Sequence, residues 1–140
     1  MAFQYKIDRR GRYKYTATER YGMYVPALKD APDFDLPFAN LRSGHLSIMP
    51  GYASDGPSGP TIDTPDAIRA AFFHDVLYQA MNADLIPWTY RRAADKLLVH
   101  LAREDGMPLW RALIWYRSLR IFGRAFAIWG RVRPRRTGKA

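Results

Sequence analysis

A chain of 140 residues, 48% apolar and 14% aromatic, can bury one modest core, which excludes a disordered chain and a multidomain one. Cysteine is absent, so disulfide frameworks and thiolate metal sites are excluded and a reducing compartment is expected. The net charge of +9, from 22 Lys+Arg against 13 Asp+Glu, favours anionic partners: phospholipid surfaces, nucleic acid or acidic protein faces.

Met1–Arg12 is polar and charged, without the apolar run of a signal peptide. No uncharged apolar stretch approaches the roughly 18 residues of a membrane span, so neither a leader nor a transmembrane segment is expected. Arg12–Thr18 alternates Tyr13, Tyr15 and Ala17 with polar residues, the period of a half-buried strand. Gln4–Ile7 can pair with it through a turn containing Gly11, and Tyr21–Val25 is a third strand candidate. Asp30–Asn40 carries Pro32 and Pro37 among aspartates and reads as a connecting loop. Its acidic cluster, Asp30, Asp33 and Asp35, is read as solvated. His45–Met49 is a short strand entered by a Ser43-Gly44 turn. Tyr52–Pro60 then concentrates turn formers: Gly56 and Gly59 permit positive φ, while Pro57 and Pro60 stiffen the path. Such a loop presents backbone carbonyls in directions that suit oxygen coordination.

The second half reads as helical. Thr64-Pro65-Asp66 is a start signal, with a capping hydroxyl, proline at the first helical position and an acid in the first turn. This helix is predicted to run to about Met81. Pro87 opens a second helix that Gly106 closes, and Pro108 opens a third. Two helices joined by a short link pack antiparallel, so facing residues have indices with a constant sum. The link Asn82–Pro87 sets His74 against Asp95, Ala71 against Leu98 and Ala67 against Ala102. Tyr78 lies one turn from His74 on the same face and reaches the same carboxylate. Asp75 points about 100° away, toward the Tyr52–Gly59 loop. The pair is either a dyad with chemistry or a buried clasp that satisfies itself.

These residues resemble those of the phospholipases A2. His74-Asp75-Val-Leu-Tyr78 is similar to the His-Asp-x-x-Tyr helix of their secreted and microbial members, and Asp95 looks like their second-helix aspartate. The resemblance implies that His74 activates water, Asp95 orients His74 and Tyr78 braces Asp95. It also implies that Asp75 binds calcium with the preceding loop, here Tyr52, Ser54, Asp55 and Gly56. Disulfides are absent, and Pro57 and Pro60 stand where the phospholipase loop is glycine-rich. From about Tyr5 to Gly123 the chain also resembles a family of small, largely uncharacterised phage and prophage proteins. That likeness is carried by Gly51-Tyr-Ala-Ser-Asp-Gly-Pro-Ser58, the His74–Tyr78 helix, Ala94-Asp95 and Tyr116-x-x-x-Arg120-x-Phe-Gly123.

An imidazole, neutral near pH 7, suits a general base, and a hard cation with loop oxygens would polarise an ester. No Gly-x-Ser-x-Gly elbow, His-Glu-x-x-His helix or Walker loop is present. His45 and His100 are read as surface or packing residues. From Ile114 to Trp129 the wheel places Arg117, Arg120 and Arg124 in a solvated stripe. Ile114, Trp115, Leu119, Ile121, Phe122, Phe126, Ile128 and Trp129 lie roughly opposite, as a core face or an interfacial one. Residues 131–140 form a basic tail through which nucleic acid could bind, without any base-reading motif.

The expected fold is α+β: one domain over residues 1–130, with short N-terminal strands beside a phospholipase A2-like antiparallel helical hairpin and a third amphipathic helix. The expected function is calcium-assisted hydrolysis of anionic phospholipid by a phage-encoded enzyme. The alternatives are a non-catalytic virion or assembly protein bound to other phage structural proteins, or a basic adaptor for membrane or DNA. The protein is expected in the host cytoplasm or the virion.

Overall fold

The computed structural model describes residues 3–8, 15–54 and 64–132, with side chains to residue 121. Seven short strands precede three helices: β1 (Tyr5–Ile7), β2 (Tyr15–Ala17), β3 (Tyr21–Tyr24), β4 (Phe34–Leu36), β5 (Ala39–Arg42), β6 (His45–Ile48), β7 (Ala53–Ser54), α1 (Pro65–Asn82), α2 (Arg91–Glu104) and α3 (Leu109–Val132). The class is α+β, and the helical hairpin is present.

β1, β2 and β7 form one antiparallel sheet in the order β1-β2-β7, with Tyr5 opposite Ala17 and Tyr15 opposite Ser54. The second sheet has the order β3-β6-β5-β4. Its β4–β5 hairpin occupies the stretch read as a loop, which is a correction. Phe34, Ala39 and Leu41 are all buried, and this inward pattern outweighs the turn-forming aspartates and prolines. Pro37 and Phe38 make the turn, Phe38 taking φ +65°. Two of the three acidic residues also make bonds there: largely exposed Asp35 pairs with Arg42 at 2.6 Å, and Asp33 accepts from the Ser43 amide at 2.8 Å. The Ser43-Gly44 turn into β6 forms as expected.

α1 runs through the middle of the molecule. Twelve of its 18 residues are buried, so it has no wet face to speak of. Phe72 stacks edge-on against Phe3 at 4.8 Å and lies 6.0 Å from Tyr52, while Phe73 meets Tyr21 of β3 at 5.7 Å. Adjacent phenylalanines thus hold the two sheets to one helix. Arg69 of the same helix binds the Tyr21 hydroxyl, Glu104 and Asp105, which ties β3 to the end of α2.

Two helix starts differ from expectation. Thr64 does not cap α1 with its hydroxyl; that group donates to Asp66 and accepts from Arg111 of α3 at 2.9 Å. Pro87 opens a 3-10 turn, Trp88–Tyr90, and α2 begins at Arg91. The turn runs straight into the helix, so the register set by Pro87 is kept. Gly106, at φ +100°, ends α2 as expected, with Met107 N–H bonding the Ala102 carbonyl at 2.9 Å. α3 is described as far as Val132. Among the described residues, no helix is long and apolar enough to cross a membrane.

Candidate active site

α2 has five buried positions, Ala94, Asp95, Leu98, Leu101 and Ala102, which form one apolar stripe with a carboxylate in it. Asp95 is fully buried, so its charge requires partners. The antiparallel hairpin supplies the first. His74 Nε2 lies 2.7 Å from Asp95 Oδ1, and the Tyr78 hydroxyl donates to the same oxygen at 2.6 Å. The small pair Ala67 and Ala102 and the pair Ala71 and Leu98 are buried as the same register requires.

Burial alone would raise the Asp95 carboxyl. The His74 ring, the Tyr78 hydroxyl and the Arg120 guanidinium outweigh it and hold the group below the usual carboxylate range. Tyr78 moves the other way, raised well above the ordinary phenol value by burial and by donation to a carboxylate. An ionised carboxylate only accepts, so the His74 ring nitrogen that faces Asp95, Nε2, carries a proton and donates. The His74 and Tyr78 rings lie 4.1 Å apart, which fixes the imidazole plane.

Two further residues complete the site, and both were missed as such. Arg120 of α3 donates from Nη1 to Asp95 Oδ2 at 3.1 Å. It therefore leaves the solvated stripe assigned to it and turns inward, because the uncovered second oxygen of Asp95 attracts it. Arg91 donates to the Tyr78 hydroxyl at 3.2 Å, approaches Asp95 Oδ2 at 4.0 Å, and binds the Leu119 and Arg120 carbonyls of α3 at 2.6 and 2.9 Å. One carboxylate is thus shared by three helices. The available signals were the i, i+4 spacing of Arg91 and Asp95, and the presence of Arg120 in the Tyr116–Gly123 motif.

Asp75 does face away from the dyad, toward the loop side: Ser54 at the end of β7 donates to its Oδ2 at 2.6 Å. Tyr52 is a core residue, and its carbonyl accepts from the Ala17 amide at 2.8 Å. Asp55 and Gly56 lie outside the described residues. Among the described residues there is no group of three or more His, Cys, Asp or Glu that could hold a metal. Asp75 and Ser54 are the described oxygen donors that face this loop, and the rest of the expected calcium shell falls on residues outside the described ones. His45 is exposed beside Tyr24, and His100 pairs with Glu104 at 2.9 Å on the surface, both as expected.

Compared with known proteins, the chain matches no family model, no curated protein and no solved structure.

Proposed function

We propose that the protein is a phospholipase A2-like ester hydrolase acting on anionic phospholipid, with His74 as general base and Asp95 as the residue that orients it. The observation that carries this reading is the buried His74 Nε2–Asp95 Oδ1 bond of 2.7 Å, braced by Tyr78. With the proton held on Nε2, Nδ1 is the basic atom. It takes a proton from water as the oxygen adds to the ester carbonyl, and Asp95 offsets the charge of the imidazolium that forms. The same Nδ1 proton then passes to the departing alkoxide, so acid and alcohol are released and the ring returns to its starting state. Two guanidiniums beside one carboxylate make this corner of the molecule net positive, which suits an anionic headgroup.

The test is release of fatty acid from vesicles of anionic and of neutral phospholipid, each with calcium and with EDTA. Release is expected to be faster from the anionic vesicles. The calcium comparison reads whether Asp75 also takes a cation. His74→Gln should lose nearly all hydrolysis, by about 100-fold or more, and Asp95→Asn should keep a residual rate. Wild-type protein that releases no fatty acid from any vesicle would overturn the reading.

One observation favours a second reading. Asp95 is completely buried and joins α1, α2 and α3, so the cluster serves equally as a polar clasp in a non-catalytic virion or assembly protein. In that case His74→Gln lowers the melting temperature and impairs particle assembly while there is no activity to lose.

A further inference from the structure

α3 buries Ala112, Trp115 and Leu119 on one side. The other side is not polar. Trp110 (66% exposed), Leu113, Ile114 and Ile121 (70% exposed) are open to solvent. At about 100° per residue these four and exposed Arg117 fall within an arc of roughly 100°, centred opposite the buried three. Ile114 and Ile121 thus lie beside the arginine and not on the opposite face expected of them, which is a correction. The row is about 16 Å long at the helical rise. Large apolar side chains aligned along one face, with an arginine among them, differ from the scattered exposed residues of an ordinary surface.

We propose that this face of α3 is a docking surface for an anionic lipid bilayer, lying flat with Trp110, Leu113, Ile114 and Ile121 at the acyl boundary and Arg117 among the headgroups. Charge complementarity selects this occupant. Arg117 is the exposed cation of the described face, Arg111 and Arg120 being paired with Asp66 and Asp95, and the sequence of α3 contains no aspartate or glutamate to oppose it. The whole chain carries +9. A second copy would bring the same positive charge to the contact. A bilayer needs no matching shape: it takes the apolar side chains while arginine extends to phosphate. The inference deepens the proposed function by naming the surface that meets lipid, and it does not depend on the chemistry at His74.

The experiment is co-sedimentation of the full chain with phosphatidylglycerol-containing and with pure phosphatidylcholine vesicles. Wild type should pellet with the former, weakly with the latter, and less at about 0.5 M salt, where charge is screened. Ile114→Asp with Ile121→Asp should reduce binding by at least about tenfold, and Arg117→Glu by about fivefold or more. These positions are exposed, so circular dichroism and melting temperature should stay at wild-type values, and hydrolysis of a water-soluble monomeric ester should be unchanged. His74→Gln should pellet like wild type, which separates failure of docking from failure of the catalytic reading. Undiminished binding of the face variants would overturn the inference. So would equal binding to both vesicle types, or no vesicle binding with a dimer that the variants dissociate.

Discussion

Asp95 is a carboxylate with no exposed surface that accepts from His74, Tyr78 and Arg120. Its folded-state pKa is lowered, so it contributes stability that is present above the unfolded value of about 4 and lost as pH falls through the folded value. Asp95→Asn should therefore cost about 3 kcal/mol at neutral pH, because two guanidiniums lose their counter-charge. Urea unfolding from about pH 2 to 6 should show a shallower acid limb for the variant than for wild type. Equal slopes would mean that the carboxyl is not held ionised by these partners. The pairing of His74 with Asp95 was legible because helical periodicity and a short link determine which positions face each other. Arg120 was not legible in the same way: its wheel position sits beside Arg117 and Arg124, and only the open second oxygen of Asp95 turns it inward.

At the scale of elements, turns show the difference between local and imposed conformation. Gly44, at φ +83°, carries the turn from β5 to β6, and a Cβ there would lie 2.7 Å from the Tyr24 ring and 3.1 Å from the Lys29 Cα. Gly106 has a similar φ of +100° but nothing within 4 Å of such a Cβ. Gly106→Ala should then cost about 1 kcal/mol, from backbone strain alone, and Gly44→Ala about 2 kcal/mol or more, from strain plus collision. Thermal melts of the two variants give the comparison, and equal losses would show that the Tyr24 contact yields freely. Gly44 and Gly106 were both read correctly as turn formers. The β4–β5 hairpin was misread because Pro32, Pro37 and the aspartates are local turn signals. Burial of Phe34, Ala39 and Leu41 against the rest of the protein is not local.

At the scale of the whole molecule, one continuous set of buried residues runs from Tyr15 and Ala17 through Leu41, Leu46 and Ile48 to Phe72, Leu98 and Trp115. No described element has a core of its own, so sheets and helices should unfold together. Far-ultraviolet circular dichroism, which follows the helices, and hydrogen exchange of the strand amides should give coincident urea transitions with a single midpoint. Separated midpoints would show that the helical part outlasts the strands. The sequence by itself determined the α+β class, the helix order and the facing of His74 and Asp95, because these follow from periodicity, capping residues and link length. Only the tertiary structure decided that α1 is central and that one carboxylate ties three helices. It likewise decided that α3 faces outward with Trp110, Leu113, Ile114 and Ile121. Those outcomes depend on which surfaces remain to be covered once the chain has folded, and no local window of sequence contains that information.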